Sequence, residues 1–237
     1  TENVHLYQSL GAALDGSDYL AVAGAFEDDS GNSQETQDIL PRWFERAYMR
    51  ITPIIHDGQR YQSRDSITLW TPWLGDHTLS RSSGVIASRV SGVDAQGHPR
   101  QQGYRFHLIK RQLTPEGSVV TLEEAANFCH DGNKGDFSFD ERFLTIHHYV
   151  DEDDWQELGY TSAEDQQFQQ LKSKGSSNIY VVDLLTGSKQ RVTQMPAGQF
   201  AMFPHFRSDG WIYFMVWDRN QQRRYVVATD AILRRMP

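Results

Sequence analysis

The chain has 237 residues, 38% hydrophobic and 23% charged, enough to close a sizeable core in one medium domain. Asp plus Glu number 31 against 23 Lys plus Arg, and the resulting net charge of −8 argues against nucleic acid or anionic lipid as partners. No apolar run approaches the roughly 20 residues that span a bilayer, no basic segment precedes an apolar one at the start, and the single cysteine, Cys129, excludes an internal disulfide framework and a thiolate-rich zinc site.

Taken in order, the predicted elements repeat. Val4 to Tyr7 reads as a strand, and Leu14 to Ala23 as strand, tight turn, strand around Asp15-Gly16-Ser17-Asp18. Arg46 to Ile54 and Ser66 to Trp70, separated by His56-Asp57-Gly58, read as a further strand pair. The hairpin signal returns at Leu79 to Ala87, followed by Tyr104 to Leu113 and Ser118 to Leu122 across Thr114-Pro115-Glu116-Gly117. It returns again at Phe137 to Ile146, followed by Asn178 to Leu184 and Lys189 to Thr193 across Leu185-Thr186-Gly187. The last copy, Phe206 to Met215, is followed by Tyr225 to Thr229. Asp140 and Asp209 stand at the turns, where a carboxylate can accept backbone N–H bonds, and Gly210 supplies a positive φ. Each unit therefore reads as four strands, with too little chain after Thr229 for a fourth strand in the last.

The stretch Phe203-Pro204-His205-Phe206-Arg207-Ser208-Asp209-Gly210-Trp211-Ile212-Tyr213-Phe214 resembles the Pro-x-Phe-Ser-Pro-Asp-Gly signature of TolB-like β-propellers. Ile179-Tyr180-Val181-Val182-Asp183 with Thr186-Gly187 resembles the third strand and turn of such blades. Phe139 and Ser208 stand where the family usually has proline, and units of roughly 60 residues exceed the usual 40 to 45. The resemblance implies an all-β fold, a β-propeller of four-stranded antiparallel blades formed by residues 1–237 as a single domain. Four blades fit the visible repeats; five is the alternative if Arg42 to Trp70 builds part of another. Val4 to Tyr7 is expected to close the ring and remove an open sheet edge. The resemblance also implies a periplasmic or secreted location.

In such a blade the surplus residues fall between the second and third strands, on one face: Gly24 to Glu45, Ser91 to Gly103 and Val150 to Ser177. Gly24 to Arg46 carries −4 and Val150 to Ser177 carries −5, so this face is expected to be acidic. Within the third insertion, Ser162-Ala163-Glu164-Asp165 is a capping-box pattern that predicts a short helix continuing through Lys174.

Candidate binding residues follow from this placement. Trp43 and Trp155 lie in the acidic insertions and Trp73 just before an inner strand, each offering an apolar face with one polar handle; His77 and Lys134 complete the set. Trp211 and Trp217 lie in predicted strands and are expected in the core. His130, Asp131, His147, His148 and His205 map toward the same face and form the candidate metal-ligating set, with Asp76 and Asp151 as nearby carboxylates. His147 and His148 are adjacent on a strand, so at most one faces the channel.

Asp131 to Asp136 reads as a turn and not as a calcium loop, because Arg142 occupies the place of the closing Glu. A G-x-S-x-G elbow, a phosphate loop and a dinucleotide fingerprint are all missing from the sequence. The reading preferred on these grounds is a non-catalytic binding domain without a cofactor, holding a protein partner or an extended ligand such as a saccharide on its acidic, loop-rich face. The alternative is a divalent-metal-binding domain or metal-dependent enzyme with a His/Asp cluster at the channel mouth.

Overall fold

The computed structural model describes residues 8–12, 18–26, 44–93, 99–114 and 117–233. The chain packs as two compact units divided after Lys134. In the first, β1 (Gln8–Ala12), β2 (Asp18–Phe26) and β3 (Ala47–His56) form an antiparallel meander, and β4 (Tyr61–Ser63) and β5 (Ile67–Trp70) both pair with β3. A second sheet of the same unit runs β6 (Leu74–Leu79), β7 (Val85–Val93), β8 (Pro99–Thr114), β9 (Gly117–Phe128), in sequence order.

The second unit repeats the plan. β10 (Asn133–Phe137), whose first two residues precede the division, is followed in the sheet by β11 (Phe143–Tyr149), β12 (Ser177–Asp183) and β13 (Lys189–Arg191). β14 (Gln199–Phe206), β15 (Ile212–Asp218) and β16 (Arg223–Thr229) form a three-stranded meander, joined to β12 by a single parallel bridge between Ser177 and Phe200. Every predicted strand within the described residues has a counterpart here; Val4 to Tyr7, the proposed ring-closing strand, lies outside them.

Burial explains why these segments are strands. β3 and β15 alternate buried and half-buried residues, so Met49 and Ile51 in one and Ile212, Phe214 and Val216 in the other face the core. β6, β11 and β12 are buried on both faces almost throughout, whereas the last strand of its sheet, β16, begins with four exposed residues. In the first unit Leu20, Val22, Met49 and Ile51 pack with Leu79, Ile86 and Val120; in the second Phe143, Ile179 and Val181 pack with Ala201, Phe206, Ile212, Phe214 and Val216. Each core thus joins two strand sets, at roughly 1.5–3 kcal/mol for each large aliphatic side chain taken out of water.

The hairpin turns behave as the sequence reading predicts. Asp140 Oδ1 accepts from Arg142 N at 3.2 Å and Asp209 Oδ1 from Trp211 N at 3.2 Å. A positive φ follows at Glu141 and Gly210, and at Ser83 in the β6–β7 turn. β6, β10 and β14 carry a second left-handed residue, Asp76 (φ 44°), Lys134 (φ 48°) and Phe203 (φ 54°), each seven positions before Ser83, Glu141 and Gly210 respectively. At Asp76 and Phe203 this residue sits in a register shift of the ladder, a bulge that re-aims the side chains around it.

Three expectations change. Ser91 to Gly103 is not a loop from end to end: β7 and β8 extend into it, pairing Ser91 with Gln101 and Val93 with Pro99, and Gly103 (φ 102°) absorbs the register shift beside Phe128. The predicted helix exists as α1 (Gln166–Lys174), but Asp165 caps it, its carboxylate accepting from Gln167 N at 2.9 Å, while Ser162 only closes the preceding turn. Trp211 and Trp217 are not core residues. Trp211 is exposed, and Trp217 lies on the half-buried face of β15 beneath the Arg219 and Arg224 guanidinium groups, because the alternation places Phe214 and Val216 inward instead.

Candidate functional site

Among the described residues each unit contains a cluster of charged side chains built from a strand end and the bulge or loop beside it. In the first unit the bulge in β6 turns Asp76 inward, where its carboxylate, only 2% exposed, meets Arg89 Nε at 3.2 Å and Lys134 Nζ. Arg89 also donates to Asn133 Oδ1. Burial opposes ionisation of Asp76, but Arg89 and Lys134 outweigh it and hold the carboxyl below its usual range. Lys134, an expected ligand-binding residue, is therefore engaged by a buried carboxylate.

His77, the next residue, is fully buried. Its Nδ1 shares a hydrogen bond with Ser88 Oγ at 2.8 Å, and its Nε2 has no hydrogen-bond partner among the described residues. Burial pushes its pKa down to about 4, with Asp76 pulling weakly the other way. His77 is thus a neutral interior side chain and presents no surface to a ligand. The sign of the linkage follows: the unfolded chain takes up a proton near pH 6.5 and the folded one only near 4, so stability is full above pH 6.5 and falls as pH drops toward 4. The loss should total roughly 3 kcal/mol. Thermal melts between pH 7 and pH 4 check this, and His77→Gln should flatten the window; an unchanged slope would assign it to other groups, His107 first, whose imidazole burial also pushes down.

In the second unit β11 ends at Tyr149 and the chain turns through Asp151-Glu152-Asp153-Asp154. His148 Nε2 lies 2.8 Å from Asp154 Oδ2 and 3.8 Å from Asp151 Oδ2. The loop is held by its own backbone: Asp151 N donates to Asp154 Oδ2 at 2.9 Å and Asp153 N to Asp151 Oδ1 at 3.0 Å. Burial opposes protonation of His148, but the Asp154 hydrogen bond and the Asp154 and Asp151 charges together prevail and raise its pKa. Burial and the Asp154 charge push the Asp151 carboxyl up; burial pushes that of Asp154 up too, but the His148 bond and charge with the Asp151 N–H bond together outweigh it and hold it down. Beneath them Tyr180 is buried, its ring under Lys189 Nζ at 4.5 Å, and Lys189 reaches Glu157 at 2.8 Å.

The loop continues into a small core of its own, Leu158, Phe168 and Leu171 with Val150, Trp155, Tyr160 and Ala197 against it. Beside it runs a groove of about 610 Å³ with Leu158, Leu171, Met195, Pro196 and Ala197 as apolar lining and Tyr160, Gln167, Gln170, Asn178 and Gln194 as polar lining, with the Arg191 side chain at its wall. Gly175 (φ 74°) ends α1 and lets the chain turn closely past the Phe200 ring into β12.

The expected site residues are thus distributed as follows. Trp155 packs the loop core and Trp73 packs on Phe44 and Ala47, while Trp43 lies outside the described residues. His148 is the one member of the expected metal set found in a group of three ligands among the described residues. His147, its strand neighbour, faces the Tyr149 and Phe203 rings, and His205 lies 3.9 Å from Asp136, whose carboxylate accepts from Phe206 N. His130 and Asp131 lie half-buried in the β9–β10 connection. Asp154 belongs to the run Asp151-Glu152-Asp153-Asp154, which by its charge density alone reads as a loose collector of divalent ions; the spacing of His148, Asp151 and Asp154, three residues apart each time, is the local signal of their convergence.

No family model and no curated protein sequence matches this chain. In structure it is similar to TolB from Acinetobacter baumannii, with a TM-score of 0.40, 14% identity, and coverage of 92% of this chain and 42% of that one. It is similar to the Swd1 β-propeller domain of Myceliophteria thermophila, with a TM-score of 0.47, 10% identity, and coverage of 93% and 50%. A Trypanosoma rangeli sialidase in complex with the inhibitor DANA gives a TM-score of 0.51 at 8% identity, covering 95% of this chain and 36% of the sialidase. The likeness is to β-propellers. It is one of fold alone, and the chain spans half or less of the length of each of these three proteins. Among the described residues no helix is long and apolar enough to cross a membrane.

Proposed function

We propose that residues 1–237 form a single propeller-type domain of four blades and that it is a non-catalytic recognition domain for an extended, neutral, polar ligand, foremost a saccharide. The observation that carries this is the groove beside α1. Its apolar floor offers a surface for the flat face of a sugar ring, and the Tyr160 ring adds an aromatic wall. The exposed side-chain amides of Gln167, Gln170 and Gln194 can each donate and accept, which matches vicinal hydroxyl groups. Four successive strand sets, with β6 and β11 buried almost throughout and β16 opening on exposed residues, support the blade count; closure of the ring by Val4 to Tyr7 is part of the proposal. A periplasmic or secreted location, which the resemblance to TolB-like propellers implies, is also part of it.

The test is an array of neutral oligosaccharides followed by calorimetric titration of the glycans retained. Gln170→Ala with Gln194→Ala should weaken binding at least about tenfold, the loss of one or two good hydrogen bonds, with the melting temperature nearly unchanged because both side chains are exposed. Retention of no glycan, or binding indifferent to both substitutions, would overturn the reading.

A further inference from the structure

We infer that His148, Asp151 and Asp154 form a binding site for one divalent first-row transition-metal ion, with zinc as the best fit. The ligand atoms of the three residues lie within 4.8 Å of one another. Zinc bonds of about 2.0–2.1 Å in tetrahedral geometry place neighbouring ligand atoms about 3.3 Å apart. The His148–Asp154 and His148–Asp151 separations of 2.8 Å and 3.8 Å straddle that value, so both carboxylates lie within a small adjustment of the imidazole nitrogen's coordination range. One imidazole nitrogen with two carboxylate oxygens suits zinc and its first-row neighbours, whereas calcium and magnesium favour oxygen throughout.

The surroundings bear on the charge. The Lys189 ammonium acts on His148 and Asp154, and Glu157 engages it at 2.8 Å. Lys172 lies at 3.1 Å from Glu152, on the outer side of the loop. With a neutral imidazole, the two remaining carboxylates balance a dication. The backbone bonds from Asp151 N to Asp154 Oδ2 and from Asp153 N to Asp151 Oδ1 restrain both carboxylates near the imidazole before any ion arrives, so that only a small adjustment is left to binding. Access comes from the Asp151 side, whose side chain is half exposed, and leaves room for water as a further ligand. Such an ion would clip the loop after β11 to the strand end, ahead of the small core around Phe168.

This site is independent of the glycan groove, and its test does not use glycans. Protein stripped with a chelator is titrated with zinc chloride by calorimetry, and with cobalt chloride while the visible spectrum is followed. One equivalent of zinc should be taken up, with tetrahedral-type cobalt absorption, and the melting temperature should rise by about 5 °C at a hundredfold excess over Kd. His148→Gln, Asp151→Asn and Asp154→Asn should each weaken uptake at least about tenfold. Asp151→Asn is the folding control: its side chain is half exposed, so the metal-free protein should melt as wild type does. Absence of uptake, uptake unchanged in all three variants, or preference for calcium or magnesium would overturn the assignment and leave an imidazolium–carboxylate pair only.

Discussion

Asp76→Asn is expected to destabilise the protein by about 3 kcal/mol and lower its melting temperature by about 6–12 °C. The substitution keeps the size of the side chain and its tolerance of the left-handed φ of 44°, so charge is what it removes. Two cations would then face a neutral amide at a position only 2% exposed. Arg89 and Lys134 retain some access to solvent, with side chains 14% and 27% exposed, which puts the effect at the lower end of the 3–5 kcal/mol usual for an orphaned buried partner. Because the pair is shielded, the loss should persist in ~0.5 M salt, where an exposed pair would already be screened. Differential scanning calorimetry measures it, and a loss below about 1 kcal/mol would mean that both cations find water without cost. The same scan addresses the single-domain proposal. If both units melt in one transition that the substitution moves as a whole, they unfold together; a split in which only part of the heat moves would contradict it.

Phe168→Ala should cost about 3–5 kcal/mol in the stability of the loop between β11 and β12. The nine residues of α1 are too few to hold a helix in water, and the cap at Asp165 adds only about 1 kcal/mol. What holds the helix is Phe168, fully buried, with Leu171 on the same side and Leu158, Trp155 and Tyr160 opposite. Truncation opens a cavity among these residues and frees the wall of the groove. Amide hydrogen exchange across Gln166–Lys174 should accelerate by at least about a hundredfold, while the strands of the second unit keep their protection. Unchanged exchange in α1 would show that the loop is held from elsewhere.

The strand plan was largely legible in the sequence, because the turn at each hairpin is written in residues with a direct backbone role. Asp140 and Asp209 accept the N–H two positions ahead, as their type and position suggest. Length was misread where polar residues continue a ladder: Ser91, Gly92, Gln101 and Gln102 look like loop, yet cross-strand pairing carries β7 and β8 beyond them. The cap of α1 was misread by three residues because Ser162 and Asp165 both satisfy the local rule, and only the packing of Phe168 decides between them. At the sites, local spacing placed His148 beside Asp151, but the union of Asp76 with Lys134 joins residues 58 positions apart and left no local trace. Nor does composition tell a ligand-facing tryptophan from one that packs its own loop, as Trp155 does.

The left-handed residue shared by β6, β10 and β14 has a consequence for the chemistry these strands can carry. Three copies of a strand hold the same unusual backbone torsion, yet present an acid at Asp76, an amine at Lys134 and a phenyl ring at Phe203. Glycine would adopt that torsion without the strain of roughly 1 kcal/mol that other residues bear. The chain forgoes that relief at all three positions and keeps a different functional group at each, so the repeat acts as one mould from which chemically distinct inserts are cast.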